Sequence, residues 1–213
     1  MVTRNALQDI SKILPKHVST ESMFELYQAR YKSNDAVRSE YNVEIPISIW
    51  MRKLLERILA REPPDQLVSR AVKIIASRRA ANSIAFDDAH TVLRRLSKRR
   101  AKLGLISNVS SHEVAIGILR RVGLEEHFDL IVTSASTGIR KPDPGIFRYA
   151  LHKSNALPRE AVIVGDSERH DVRGGKSAGL QTVLVNRKHE IDGSIADYRF
   201  RNLAQAMPTL QSL

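Results

Sequence analysis

The fold is decided by the stretch Val162-Ile163-Val164-Gly165-Asp166-Ser167-Glu168-Arg169-His170-Asp171. An apolar, mostly β-branched run leads into Gly165-Asp166, and a second carboxylate follows at Asp171. This pattern predicts a fully buried strand, a turn at the glycine, and two carboxylates delivered to one small volume. Carboxylate oxygens are hard ligands of the kind that Mg²⁺ prefers. The alternative is that Asp166 caps the following helix and Asp171 is a solvated surface charge, and these ten residues favour neither interpretation.

Length and composition are those of an ordinary globular protein. The 213 residues suffice for one sizeable core, or for a core domain with a smaller appendage. Hydrophobic residues make up 42% of the chain and charged residues 27%. No apolar run is long enough to cross a bilayer, and no apolar secretion signal is expected at the N-terminus. Because the chain has no cysteine, disulfides and thiolate metal sites are excluded, and a cytoplasmic location is expected.

The formal net charge of +11 raises the question of nucleic-acid binding. A nucleic-acid binder is expected to concentrate its basic residues in a stripe, often with aromatic side chains for stacking. Here the basic pairs are scattered along the chain, and aromatic residues are only 5%. A solvated basic surface is therefore favoured over a nucleic-acid partner, and the surface charge can also attract anionic substrates.

The chain divides into two regions of different sequence pattern. Residues 1–85 are predicted to be helical, a small bundle of about four helices with prolines at its breaks. From residue 86 to 213, short apolar strands alternate with amphipathic helices, which is typical of an α/β fold with a doubly wound parallel sheet. In such sheets ligands bind beyond the carboxyl ends of the strands, where Ser107 and Asp166 are expected.

Three motifs occur in sequence order on these elements. They are Leu105-Ile106-Ser107-Asn108 at a strand end, Arg140-Lys141-Pro142-Asp143-Pro144 before a helix, and Gly165-Asp166-Ser167 with Asp171. Each taken alone has an ordinary explanation, as a helix cap, a solvated turn lysine or a capping aspartate. In this order and on these elements, residues 86–200 resemble the haloacid dehalogenase (HAD) superfamily of hydrolases. The resemblance implies a Rossmannoid core with a parallel sheet, and residues 1–85 look like the family's helical cap domain.

The resemblance also implies roles for individual residues. Ser107 and Asn108 would hydrogen-bond a phosphoryl oxygen, and Lys141 would offset negative charge on the nucleophile and the phosphoryl group. Asp166 would bind Mg²⁺, and Asp171 would bind it directly or through water while holding Lys141. In this family the reaction passes through a covalent aspartyl intermediate. The carboxylate at Asp166 favours phosphate ester hydrolysis over dehalogenation, because the dehalogenase branch lacks the metal.

One departure from the family is important. The family's nucleophile lies on the first strand in an Asp-x-Asp-x-Thr motif, and this chain has no such motif. Asp9 follows a polar, helix-like segment, and the pair Asp87-Asp88 begins a helix, so neither is a suitable nucleophile. The first core strand is therefore also expected to be missing. Two explanations are open: a sequence that begins after the motif, which would be inactive, or a non-catalytic relative that kept a phosphate and metal site.

The substrate is expected to be a small phosphate ester that the cap selects. Trp50, Tyr27 and Tyr31 suggest a closed pocket there, although as aromatic residues they more often belong to a core. The sequence does not indicate an oligomeric state.

Overall fold

The first part of the chain consists of four α-helices. The structure, a computed structural model, describes residues 2–15, 18–99, 101–187 and 193–212, so the chain ends at 1 and 213 lie outside it. The four helices are α1 (Val2–Ser11), α2 (Thr20–Tyr41), α3 (Ile47–Leu59) and α4 (Asp65–Ala81). Ser19 caps α2 by accepting a hydrogen bond from the Ser22 amide at 3.1 Å, and prolines directly precede α3 and α4.

These helices share one apolar core, formed by buried residues between positions 6 and 75. Trp50 and Tyr27 belong to it and are 2% and 5% exposed, and their rings meet edge to face at 5.0 Å between centroids. The two aromatic residues are therefore part of the packing between α2 and α3.

The second part of the chain alternates strands and helices, as the sequence predicts. Its strands are β1 (Gly104–Ser107), β2 (Leu130–Thr133), β3 (Val162–Gly165), β4 (Gln181–Val185) and β5 (Tyr198–Phe200). Its helices are α5 (Asp87–Ser97), α6 (His112–Arg121), α7 (Ser134–Thr137), α8 (Pro144–Ser154), α9 (Gly174–Ser177) and α10 (Leu203–Ser212), with a π-helix at Glu168–Arg173 and 3₁₀ turns at Glu125–His127 and Pro158–Glu160.

The five strands pair in parallel, as the sequence predicts, and they form two separate sheets. β1 pairs with β2, and β3, β4 and β5 pair in that order, with no strand pairing between the two groups among the described residues. As a result β1 and β3 are both edge strands. Each has a hydrogen-bonded neighbour on one side only.

The edge position of β3 corrects one prediction. Val162, Ile163 and Val164 are half-buried, whereas the sequence predicts a fully buried strand. The central strand β4, which is paired on both sides, has four buried residues, Thr182–Val185. The apolar run in β3 is therefore only partly covered because one side of the strand has no partner strand.

Two sets of contacts join the helical part to the α/β part. Helix α4 packs directly on α6. In addition, Val43 and Ile139 form an antiparallel bridge, flanked by hydrogen bonds of 2.8 Å from the Glu44 amide to the Gly138 carbonyl and from the Arg140 amide to the Asn42 carbonyl. The segment before α3 is thus paired with the loop that carries the predicted Lys141.

The basic pairs lie where helix geometry favours cations. Arg78-Arg79, Arg94-Arg95 and Arg120-Arg121 occupy the last turns of α4, α5 and α6. They are distributed over three helix ends, so the basic charge of the chain has a local structural explanation. Among the helices that the structure describes, none is long and apolar enough to span a membrane.

Asp197, which directly precedes β5, joins the start of that strand to α9 and β4. Its carboxylate accepts hydrogen bonds from the Lys176 ammonium at 2.7 Å and from the amide and hydroxyl of Thr182, both at 2.8 Å. The hydrogen bond from Lys176 is the largest cause that lowers the pKa of Asp197 from 3.8 to about 2, with Thr182 adding to it against the effect of burial.

We expect Asp197→Asn to lower the free energy of unfolding at pH 7 by about 1 kcal/mol. This figure allows for solvent screening, because the Asp197–Lys176 pair is partly exposed. Because the folded pKa is depressed, the stabilisation is fully present above pH 3.8 and is lost as the pH falls toward 2. Urea unfolding at several pH values should show the difference between the two proteins shrinking over that window. Asp35→Asn, at an exposed carboxylate of α2, is the control. A difference that persists unchanged to pH 2 would contradict this assignment.

Candidate active site

The first predicted motif ends β1. Ser107 is the last residue of the strand and is half-buried, and its hydroxyl has no hydrogen-bond partner among the described residues. Helix α6 begins shortly after it, capped by Ser111, whose hydroxyl accepts from the Val114 amide at 3.3 Å. A hydroxyl and a helix N-terminus therefore follow the same strand end.

The second motif is fixed to the first by Asn108. The side-chain oxygen of Asn108 accepts from the Lys141 amide at 2.9 Å, and its side-chain nitrogen donates to the Lys141 carbonyl at 2.9 Å. Asn108, predicted to bind phosphate, thus holds the Lys141 backbone, and one N–H of its amide remains for a phosphoryl oxygen. Beyond Lys141, Asp143 caps α8 by accepting from the Gly145 amide at 2.7 Å.

The Lys141 ammonium lies between the two sheets. It donates to the Ile106 carbonyl of β1 at 2.8 Å and to the Asp171 carboxylate, after β3, at 2.7 Å. The Lys141 side chain is 12% exposed and that of Asp171 is 5% exposed. This lysine is therefore not a solvated turn residue, and the structure brings it to the carboxylate that the family resemblance implies.

Asp171 is held from both sides. Its second oxygen accepts from the Ser167 amide at 3.0 Å, and the carboxylate packs directly on Gly165. Ser167, not Asp166, caps the π-helix, because its hydroxyl accepts from the His170 amide at 3.1 Å. Both parts of the alternative interpretation are thus wrong: Asp166 does not cap the helix, and Asp171 is buried.

The residues present fit a Mg²⁺ ion with a minimal set of protein ligands. The Asp166 carboxylate is exposed and has no hydrogen-bond partner among the described residues, while its carbonyl accepts from Asn186 at 3.0 Å. In the described part of the chain, no group of three or more acidic, histidine or cysteine side chains could hold a metal. Mg²⁺ is commonly bound by one or two carboxylates, with water and phosphate oxygens completing its shell, so Asp166 and Asp171 suit it.

His170 lies in the positive field of this site. Its Nδ1 is 3.0 Å from the Ser167 hydroxyl. Burial lowers the pKa of His170, and Arg169, Lys141 and Arg140 lower it further, against the opposing effect of Asp171. The imidazole is therefore neutral at pH 7, and the surplus of positive charge resides on the lysine and the arginines.

The aspartates rejected as nucleophiles are engaged elsewhere. Asp9 forms ion pairs with Arg78 and Lys12 within the helical part. Asp88 pairs with Arg187 at 2.5 Å and accepts from the Ala204 amide at 3.1 Å, which joins α5 to α10. These structural contacts agree with the sequence-based conclusion that neither is the attacking group.

Glu44 is the residue of this region that sequence reasoning missed. Its side chain is fully buried, accepts from the Ser134 hydroxyl at 2.5 Å, and pairs with Arg140 and, at 3.7 Å, with Arg38. The available signal was that Glu44 is the one charged residue between positions 42 and 51, an otherwise uncharged stretch. Such an isolated charge indicates a buried pair.

Sequence and structure comparisons identify the family of the chain. A model of the haloacid dehalogenase-like hydrolase family matches residues 18–185. The chain belongs to the haloacid dehalogenase-like hydrolases. The match includes all three motifs, Ser107, Lys141 and Asp166 among them.

Similar proteins within this HAD-like family include hydrolases of several kinds. Haloacid dehalogenase-like hydrolase domain-containing protein 3 of Bos taurus is 34% identical over 132 residues, 60% of this chain and 52% of its own length. The glyceraldehyde 3-phosphate phosphatase of Methanopyrus kandleri is 31% identical over 160 residues, 74% of this chain and 66% of its own length. The crystal structure of a 2-haloacid dehalogenase from Pseudomonas syringae pv. Tomato DC3000 superimposes with a TM-score of 0.73 at 26% identity, covering 98% of this chain and 89% of that one. The chain thus spans about half the length of the first of these relatives.

The contact between Gly165 and Asp171 yields a stability prediction. A Cβ at residue 165 would lie 2.3 Å from the Asp171 Cγ, so Gly165→Ala must displace the carboxylate that Lys141 binds. We expect a loss of about 1–3 kcal/mol in the free energy of unfolding, measured by urea titration.

Gly104→Ala is the matched control on the neighbouring edge strand. The nearest atom to its added Cβ is the Leu130 carbonyl oxygen at 4.0 Å, so this alanine fits and its stability should equal or slightly exceed that of the parent chain. Equal stability of the two variants would contradict the tight packing of Asp171 on Gly165.

Proposed function

We propose that this chain binds the phosphoryl group of a small phosphate ester together with Mg²⁺, in the manner of HAD-like phosphohydrolases, and does not hydrolyse the ester by itself. The observation that carries the proposal is the Lys141 ammonium, held by the Ile106 carbonyl at 2.8 Å and by Asp171 at 2.7 Å. A fixed cation next to a free Ser107 hydroxyl offers charge and a hydrogen bond to the same phosphoryl oxygens.

Each residue of the site has a distinct part in this proposal. Ser107 and the remaining N–H of Asn108 donate to phosphoryl oxygens, and Lys141 offsets the negative charge. Asp166 and Asp171 would hold Mg²⁺, which when bound supplies positive charge to the phosphoryl oxygens. The helices α1–α4 are proposed to form the cap that selects the rest of the substrate.

Two observations favour a phosphate ester over a haloacid. The exposed Asp166 carboxylate suits a metal ion, which dehalogenation in this family does not use. The relative from Methanopyrus kandleri is named as a phosphatase of glyceraldehyde 3-phosphate, a small phosphate ester. No hydrolysis is expected because the sequence contains no Asp-x-Asp pair to supply a nucleophile and its acid–base partner.

Calorimetric titration with inorganic phosphate in the presence of Mg²⁺ tests the binding. We expect Lys141→Met to weaken phosphate binding about tenfold or more, because a charged hydrogen bond is lost, and Asp166→Asn to remove the dependence on Mg²⁺. Lys53→Met, which replaces an exposed lysine of α3, should bind phosphate like the parent chain. Phosphate binding that is absent, or equal in Lys141→Met, would contradict the proposal.

Hydrolysis assays test the second half of the proposal. We expect negligible release of phosphate from an aryl phosphate with Mg²⁺, and no halide release from a 2-haloacid. Robust phosphatase turnover that disappears in Asp166→Asn would show that the chain contains a nucleophile other than the expected motif.

Duplex DNA should not bind at physiological salt, since no stripe of basic residues is present in the described helices.

A further inference from the structure

Three buried hydrogen-bond donors, two on α2 and one on α3, have no acceptor among the residues that the structure describes. They are the side-chain Nδ2 of Asn34, Nη2 of Arg38 and Nε1 of Trp50, in residues that are 8%, 5% and 2% exposed. Buried polar atoms in folded proteins are nearly always paired, because an unpaired one loses its hydrogen bonds to water without replacement. All three atoms are donors, so any partner must supply acceptor atoms.

Asn34 and Arg38 form one pair of donors, and Trp50 lies apart from this pair, beyond two tyrosine rings. Asn34 and Arg38 lie one turn apart on α2, and the Arg38 Nε donates to the Asn34 carbonyl at 3.2 Å. The Arg38 guanidinium lies 5.5 Å from the ring centroid of Tyr31, which stacks on Tyr27 at 6.4 Å. The Tyr27 ring in turn meets Trp50 at 5.0 Å. Two tyrosine rings therefore connect the donor pair on α2 with the donor on α3.

The cluster also carries more positive than negative charge. Arg38 and Arg140, with side chains 6% and 16% exposed, share the single buried carboxylate of Glu44, and the described contacts include no other acidic partner for either arginine. Burial raises the pKa of Tyr27, while Arg79 and Arg38 act against that shift, so a third guanidinium lies beside the cluster. An uncompensated buried positive charge is costly unless an anion neutralises it.

The cluster adjoins the phosphate site through Arg140. This arginine is bonded to Glu44 and immediately precedes Lys141 in the chain. Glu44 also accepts from Ser134, the residue that follows β2. Glu44 and Arg140 therefore form a continuous path of contacts from Arg38 to the residue whose ammonium is proposed to bind the phosphoryl group.

We propose that Asn34 and Arg38 form a subsite for a second anionic, oxygen-rich group, a carboxylate or phosphate, on the ligand whose phosphoryl group binds at Lys141. The inference rests on the proposed function and narrows its substrate class to phosphate esters that carry two anionic groups. A bound water could accept hydrogen bonds from these donors but would not neutralise the excess charge. The donors of Asn34 and Arg38 are sealed from solvent in this conformation, so a ligand reaches them only when α2 and α3 separate.

Trp50 is the single tryptophan of the chain, and it contacts Tyr27, so its fluorescence reports on the packing beside the proposed subsite. The probes are carboxymethyl, 3-carboxypropyl and 5-carboxypentyl phosphate with Mg²⁺, each compared with the alkyl phosphate of the same length. We expect the carboxyalkyl phosphate of suitable length to bind about tenfold or more tightly than the alkyl phosphate of the same length. Its binding should also change the Trp50 emission, which the alkyl phosphate should not do. The carboxylates without the phosphoryl group, tested alone, should bind weakly.

Two variants separate binding from folding. In Arg38→Met and Asn34→Leu, the affinity for the carboxyalkyl phosphate should fall to within about twofold of the affinity for the alkyl phosphate of the same length. The affinity for the alkyl phosphate itself should be unchanged. Asn34→Leu should also leave the thermal midpoint unchanged or raised, because it removes a buried donor without an acceptor, whereas a merely structural asparagine would give a lower midpoint. Lys32→Met, at an exposed lysine of α2, is the control.

The outcomes distinguish this inference from the function on which it rests. If inorganic phosphate and the alkyl phosphates fail to bind, or bind equally to Lys141→Met, the proposed function fails. If they bind through Lys141 but no carboxyalkyl phosphate binds more tightly, the subsite is wrong. It is equally wrong if the advantage survives in both Arg38→Met and Asn34→Leu.

Discussion

The contact on which the site depends is the ion pair between Lys141 and Asp171. It is the point at which the two sheets meet, because the same ammonium also binds the Ile106 carbonyl of β1. Both partners are largely buried, so either charge alone would be costly, and the pair stays in place only because further hydrogen bonds fix both sides. Asn108 holds the backbone of the lysine, and the Ser167 amide holds the carboxylate. Three motifs that are distant in sequence thus become one site through a single cation.

The same pair explains why a glycine precedes Asp166. The Asp171 carboxylate occupies the space that a side chain at residue 165 would need, so close packing of strand and π-helix is possible only with glycine there. Asp166 is then left at the strand end with an exposed carboxylate, while Asp171 points back under the turn. One short stretch therefore yields two aspartates in different environments, Asp166 exposed and Asp171 buried against the lysine.

How far the sequence predicts this structure depends on how local each interaction is. The order of strands and helices and the Lys141–Asp171 pairing follow from short motifs and their resemblance to a family, and the structure agrees with them. The separation into two sheets could not be read from apolar runs, because the pattern of β3 is the same whether one or both of its edges are paired. Glu44 was missed for a similar reason: its partners Arg38 and Arg140 lie 6 and 96 positions away, at a distance that no local pattern encodes.

Two places in the described structure have polar groups without a protein hydrogen-bond partner. They are the open edges of β1 and β3 and the buried donors of α2 and α3. Backbone groups on an edge can be satisfied by water, since both strands are only half-buried. The donors of Asn34, Arg38 and Trp50 have no such access, and an apolar residue at position 34 would fill the space without the penalty. A polar group that is costly where it lies, and adjoins a charged site, is more readily explained by binding than by stability. Two arginines share one glutamate at the same place, so the ligand is expected to be negatively charged. Only an anion both accepts the hydrogen bonds and neutralises the excess positive charge.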